Sequence, residues 1–298
     1  MFRRIFLFVL TNILVLATIT IIAKVLGLET YYTAQGLNYE SLMVWCALWG
    51  FGGAFISLLM SKFMAKMAMR VKIIDPQNPT GEGQRILDMT YRLARAAGLS
   101  KMPEVGIYDN PEINAFATGP SRNNSLVAVS TGLIRSMDRN EIEGVIGHEI
   151  AHIANGDMVT MTLIQGVINA FVLFFAKIAA WAVANFMRSS NDESPSYMLM
   201  FGLEIAFQIV FGILGSVVVA YFSRIREFRA DKGGATFAGR GNMIAALQAL
   251  QRTYNPKLAD TGHPEMATMK INAGGKMMAL FTTHPPLEQR ILRLQQMV

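Results

Sequence analysis

The sequence predicts a mainly α-helical, multi-pass membrane protein whose aqueous part is an α+β domain split in two by a membrane hairpin. Three observations lead there. Four apolar segments lie at about 5–23, 42–60, 158–187 and 197–222, each close to or above the ~20 residues that a bilayer-spanning helix requires. Hydrophobic residues make up 52% of the chain and charged residues 16%, against a usual charged share of about 25%. The stretches 61–157 and 223–298 instead mix helical and β-type periodicity with polar residues, as an aqueous domain does. The expected organisation is two N-terminal spans in 1–60, a first part of the aqueous domain in 61–157, a hairpin in 158–222 and a second part in 223–298.

The first segment follows Arg3 and Arg4. Its apolar run is too long for a signal peptide and no small-residue cleavage site follows, so it reads as a retained helix. The second segment carries no charge. The linker between them holds Glu29, Glu40, Tyr31, Tyr32 and Tyr39 but no Lys or Arg beyond Lys24, whereas Lys62, Lys66, Arg70 and Lys72 follow the second segment. The positive-inside bias then puts the amino terminus and everything after residue 60 in the cytoplasm. A polar turn at 188–196 joins the third and fourth segments into a hairpin, with Arg224, Arg226, Arg229 and Lys232 at its exit. Lys177 and Glu204 fall at similar depth within it. Pairing is expected, because an unpaired charge there costs several kcal/mol; in the competing arrangement Lys177 snorkels outward and Glu204 faces a wet cavity.

The net charge of +6 is not gathered into a basic run or an aromatic-interleaved stripe, which excludes nucleic acid as the partner. The single cysteine, Cys46, permits no disulfide within the chain and reads as a packed, lipid-facing thiol. In the aqueous part, 84–97 has the pattern of an amphipathic helix stopped by Gly98, and 105–108 and 125–130 are β-type runs. Residues 243–254 are helical in pattern, 255–283 are rich in Pro, Gly and Met with little periodicity, and Pro286 opens a last helix over 287–297, proline being tolerated in a first turn.

The most informative residues are His148, Glu149, Ile150, Ala151 and His152, an HExxH pattern. Residues four apart share a helix face, so both imidazoles can reach one ion. Glu149, turned by ~100° from His148, stands beside a metal-bound water rather than on the metal. Asp138 and Glu141 form a capping-box-like start, and Ile142, Val145, Ile146, Ile150 and Ile153 an apolar stripe. Gly144 weakens the helix and marks either close packing or local looseness.

A catalytic zinc takes three protein ligands. The third histidine of a metzincin would fall at position 158, which is Met158, so that arrangement is excluded. His263 and His284 remain, along with acids. Glu227 and Asp231 lie four apart just beyond the fourth apolar segment. Glu227 suits a ligand, and Asp231 on the same face suits an acceptor for the far nitrogen of a ligand imidazole. Without the HExxH motif the same two would read as a solvated acidic pair balancing Arg226 and Arg229. An antiparallel hairpin returns both half-sites to one membrane surface, so the site is expected at the cytoplasmic interface.

With these residues the sequence closely resembles the HtpX-type bacterial membrane metalloproteases, heat-shock-associated relatives of the CAAX prenyl proteases. The resemblance runs through 47–62, 114–119, 126–133, 148–165 and 284–287. It implies a gluzincin-like catalytic domain, one zinc ion per chain, and a multi-pass place in the bacterial inner membrane. It also implies a role in degrading damaged or misassembled membrane proteins. The lipid bilayer and membrane-protein substrates are then the partners, with self-cleavage or a homo-oligomer as further associations. It makes Glu227 the third ligand and Asp231 its neighbour behind the metal, Asn114 and Ala115 part of a rim strand that holds an extended peptide, and His284 and Arg290 residues suited to stabilising an oxyanion. Read from the bare residues, Asn114 is a turn former, His284 a cap before Pro285 and Pro286, and Arg290 a surface charge.

Three rivals differ in class. A zinc-binding membrane scaffold without hydrolytic activity leaves Glu149 with no purpose. An intramembrane protease would bury the motif in an apolar helix, whereas Asp138, Arg139, Glu141, Glu143 and Asp157 flank it. A transporter would need polar or broken helices throughout its spans, and the first two segments offer little of that.

Overall fold

A computed structural model of the chain describes residues 20–21, 24–25, 31–33, 36–79, 81–187, 197–254 and 282–297. The elements follow the order β1 (Tyr32–Thr33), β2 (Gly36–Leu37), α1 (Tyr39–Met69), β3 (Lys72–Ile73), α2 (Gly81–Ala96), β4 (Glu104–Tyr108), β5 (Ala115–Ser121), β6 (Asn124–Ser130), α3 (Thr131–Ser136), α4 (Arg139–Asn155), α5 (Asp157–Phe186), α6 (Tyr197–Ala238), α7 (Arg240–Tyr254) and α8 (Leu287–Gln295). The chain divides into two compact units, 1–57 with 161–219 and 58–160 with 220–298. The first apolar segment lies almost wholly outside the described residues, as do the turn at 188–196 and most of the stretch 255–283.

Three helices, α1, α5 and α6, are long and apolar enough to cross a membrane among the described residues. In the first unit α1 buries the stripe Leu42, Cys46 and Gly50, spaced at the four-residue repeat that aligns side chains on one face. Cys46 is therefore enclosed by protein, 0% exposed, and not lipid-facing. Its place on the packed stripe, rather than its apolar neighbourhood in sequence, decides this. Lys177 Nζ donates to Glu204 Oε2 at 2.8 Å, and the same ammonium lies 4.8 Å from the Trp45 ring centroid and 5.2 Å from that of Tyr31. The pairing arrangement is the one present.

The second unit is built on a four-stranded sheet in the order β3-β4-β6-β5. Strands β4 and β6 run parallel, and the other pairs are antiparallel. Val105, Val127 and Val129 pack with Ile86 and Leu93 of α2 and with Ile142, Ile146, Ile150 and Ile153 of α4. The apolar stripe read from the sequence is what seats α4 in this core. Strand β5 forms an edge of the sheet. It contains Gly119 and Pro120, and an edge strand tolerates proline because one row of its N–H groups needs no partner. The elements α2 and α7 begin three residues earlier than their patterns suggest. The larger difference is α6, which continues without a break past the expected end at 222 to Ala238.

Candidate metal centre

Helix α4 is fixed at both ends by local chemistry. The Asp138 side chain accepts from the Asn140 and Glu141 amides, and the Glu141 side chain accepts from the Asp138 amide, a reciprocal cap of the kind that satisfies otherwise orphaned N–H groups. Arg252 binds the same Glu141, and Arg92 reaches Glu143 at 2.7 Å. At the other end Gly156 adopts φ 70°, a left-handed turn that side chains disfavour. A new helix begins at once with Asp157.

Close packing then brings α6 to α4. A Cβ at Gly144 would collide with the Asn242 carbonyl, so that glycine marks tight packing against α7 and not looseness. A Cβ at Gly234 would stand 3.0 Å from the His148 backbone nitrogen and 2.8 Å from Met243 Sδ. The absence of that carbon lets the backbone of α6 lie against the turn of α4 that carries His148.

This approach gathers three groups that could hold a metal ion, His148, His152 and Glu227. His148 Nε2 and His152 Nε2 are 3.1 Å apart, and each lies 3.4 Å from an oxygen of Glu227. Zinc held tetrahedrally by nitrogen and oxygen at about 2.0–2.2 Å has ligand atoms roughly 3.3–3.6 Å from one another. The donor set and its spacing therefore fit such an ion. Each imidazole is also held from behind. His148 Nδ1 lies 3.0 Å from Asp231 Oδ1, and His152 Nδ1 donates to Asp157 Oδ2 at 2.6 Å. A carboxylate on the far nitrogen fixes the tautomer that leaves Nε2 free to bind metal.

Charge is balanced around these groups. Asp231 accepts from Arg290 Nε at 2.8 Å and from Arg290 Nη2 at 2.6 Å, a bidentate pair. Glu227 is 1% exposed and receives Arg226 Nη2 at 3.2 Å and His284 Nδ1 at 3.0 Å. Burial alone would push both imidazoles toward the neutral form. The adjacent carboxylates outweigh it: Asp231 and Glu227 hold the His148 pKa above the ordinary histidine value, and Asp157 and Glu227 raise that of His152 to about 9.

The metal group opens onto a cleft. His148, Glu149, Glu227, His284, Arg290, Asn114 and Ala115 line one side of it, and His152 and Asp157 the other. The Asn114 backbone makes two bonds to Ser130, its amide donating to the Ser130 side-chain Oγ at 3.1 Å and its carbonyl accepting from the Ser130 amide at 2.9 Å. Among the described residues the outer edge of β5 carries no strand. Arg290 is 6% exposed, so the bare reading of it as a surface charge fails. His263, one of the alternative ligands, lies outside the described residues. Sequence reasoning treated Asp157 only as a flanking charge. The signal for its role was the Gly156-Asp157 step, where a left-handed turn folds the next carboxylate back onto the imidazole.

The family model for peptidase family M48 matches residues 82–298. The protease HtpX homologue of Bacillus licheniformis is 53% identical over 98% of this chain and 99% of its own length. That of Bacillus subtilis is 51% identical, covering 99% of each, and that of Chlorobium phaeobacteroides, strain DSM 266, is 51% identical over 98% and 99%. Among solved structures, that of Ste24p from S. mikatae superimposes with a TM-score of 0.63 at 15% identity, covering 99% of this chain and 67% of that one, a likeness of fold. The resemblance to HtpX-type proteases thus holds along the full chain. Matched to the family over most of its length and to its HtpX members over nearly all of it, the chain belongs to peptidase family M48 and is a membrane metalloprotease.

Proposed function

We propose that the protein is a zinc-dependent endopeptidase of the bacterial inner membrane. It hydrolyses peptide bonds of misfolded or damaged membrane proteins at the cytoplasmic face, as part of quality control under stress. The carrying observation is the grouping of His148, His152 and Glu227: the two Nε2 atoms are 3.1 Å apart, His148 Nε2 is 3.4 Å from Glu227 Oε2 and His152 Nε2 is 3.4 Å from Glu227 Oε1, facing a cleft that Glu149 also lines. The glutamate ligand, arriving on a later helix than the HExxH motif, supports the gluzincin class. Lys62 and Lys66 near the end of α1 and Arg70 and Lys72 beyond it, with Arg224, Arg226, Arg229 and Lys232 on α6, support the cytoplasmic orientation.

Zinc at this triangle supplies Lewis acidity toward the peptide carbonyl and toward water. The rest falls to the chain's own groups. Glu149 takes a proton from the attacking water and delivers it to the leaving amine. Asp231 and Asp157 keep the ligand imidazoles oriented. The outer edge of β5, from Ala115 onward, receives the substrate backbone as an added strand beside Asn114. His284 and Arg290 lie beside the centre and stabilise the negative oxygen that develops during attack; Arg290 also neutralises Asp231.

Replacing the base tests this reading. Purified Glu149→Gln protein should keep stoichiometric zinc and the wild-type melting temperature while cleavage of a casein-like substrate falls by about 10²–10⁴-fold. Full activity in that variant overturns the assignment.

A further inference from the structure

Tyr108 is 1% exposed, and its buried hydroxyl completes no hydrogen bond. Such a group destabilises a fold, and native proteins leave few of them without a reason. Tyr108 of β4 stands abreast of Ser130 of β6, and Asn114 is bonded to Ser130 from the other side. Residues abreast in a sheet share a face, so Tyr108 and Asn114 flank Ser130 on the same side of it. The Tyr108 ring reaches toward β5, its centroid 5.6 Å from that of Phe116.

The Ser130 hydroxyl between them is already committed. It donates to the Glu112 carbonyl at 2.7 Å and accepts from the amides of Asn114 and Leu133 at 3.1 and 3.0 Å. These bonds pin the backbone of Asn114, whereas its side chain is exposed, on the wall of the cleft that Glu149 also lines. That side chain lies beside the phenol without closing a hydrogen bond. Burial pushes the Tyr108 pKa up to about 12, Asn114 works against the shift, and the charges of Glu112 and Glu149 add to it. The phenol thus remains a proton donor throughout the neutral range.

We propose that Tyr108 is a positioning residue for substrate binding: its hydroxyl donates to Asn114 Oδ1 when a peptide lies along the rim, which turns Asn114 Nδ2 into the cleft to donate to a backbone carbonyl of the peptide. This inference rests on the rim-strand reading of Asn114 above. A carboxamide can present either its acceptor or its donors, and only the donors match a carbonyl. A buried donor beneath Asn114 selects that orientation. Recognition is then of the peptide backbone, whatever side chains the substrate carries.

The test uses the purified, zinc-loaded full chain in detergent and a quenched fluorescent peptide spanning a bond that the enzyme cuts in casein. Tyr108→Phe removes only the hydroxyl. KM should rise by about 3–10-fold, as for one lost hydrogen bond. Turnover should stay within about twofold, the split expected when ground-state and transition-state binding weaken alike. The melting temperature should equal or exceed that of the wild type, which separates the loss from a folding defect. Asn114→Ala should raise KM at least as far, and adding Tyr108→Phe to it should change nothing more, since residues acting as a unit are not additive. Asn114→Asp, which keeps the acceptor and loses the N–H donors, should match Asn114→Ala. The same peptide, labelled and bound to Glu149→Gln protein, should show this order by fluorescence anisotropy without turnover. An unchanged KM in Tyr108→Phe, a loss confined to kcat, additive effects of Tyr108→Phe and Asn114→Ala, or wild-type binding by Asn114→Asp overturns the positioning role alone. Wild-type KM and peptide affinity in Asn114→Ala overturn the rim-strand reading with it.

Discussion

His152 donates from Nδ1 to Asp157 Oδ2 at 2.6 Å across the left-handed turn at Gly156. The turn ends one helix and starts the next within a single residue, and it delivers the first side chain of α5 to the second histidine of α4. Asp157 therefore does for His152 what Asp231, from another element, does for His148. Removing such a partner weakens metal affinity by about 10–100-fold. Asp157→Asn should show that loss in competition against a chelating dye, while the thermal midpoint of the zinc-loaded protein changes little. Unaltered zinc affinity would make Asp157 merely a helix-start residue.

Arg290 and Asp231 form a buried bidentate pair, at 6% and 2% exposure. Deleting one partner of a buried pair leaves an uncompensated charge and costs about 3–5 kcal/mol, whereas replacing both with apolar groups is often close to neutral. In the chelated protein Arg290→Met should lower denaturant stability by that amount, and adding Asp231→Leu should restore most of it. Zinc affinity should not recover in the double variant, since His148 has then lost its acceptor. Equal destabilisation in single and double variants would show that the pair contributes no charge compensation.

At Gly234 the helix that carries Glu227 packs against the backbone of His148. Valine there must displace either Met243 or the backbone of α4, and a shift of even an ångström opens the ligand triangle. Gly234→Val should fold with reduced stability and fail to retain zinc on gel filtration. As a control, Gly212, with nothing within 4 Å of its missing Cβ, should accept alanine within about 0.5 kcal/mol. Zinc retained by Gly234→Val would show that the triangle does not depend on this approach.

Because His152 is raised to about 9 in the folded chain, proton and metal compete for it. A raised folded-state pKa adds stability that is fully present below the unfolded value near 6.5 and lost as pH rises through about 9. Chelated protein should thus lose stability between pH 6.5 and 9, while zinc affinity rises over the same window. Calorimetric zinc titrations in buffers of different ionisation enthalpy should record proton release on binding, diminishing above pH 9. A pH-independent zinc affinity between 6.5 and 9 would contradict this.

Much of the centre was legible because its signals are local. The cap of Asp138 and Glu141, the isoleucine stripe of α4 and the four-residue spacings of His148 with His152 and of Glu227 with Asp231 all follow from one helical period, which neighbouring residues fix among themselves. Asn114, Ala115, His284 and Arg290 carry no such period. Their own residue types suggested a turn, a cap and a surface charge, and only the resemblance drew them toward the site. Strand β5 was reached only through the resemblance, at Asn114 and Ala115, because Gly119 and Pro120 mask a strand pattern whenever the strand's position in the sheet is unknown.

By itself the sequence determined the three apolar helices now seen, the two-histidine helix and the spacing of the acidic pair, since chain connectivity and side-chain period settle these. Tertiary structure alone decided that α6 runs unbroken into the site, that Arg290 is buried against an acid 59 residues away, that Cys46 faces protein and that Asp157 turns back onto His152. Each of these depends on which backbones can approach and which charges must be matched once water is removed. No run of adjacent residues carries that information.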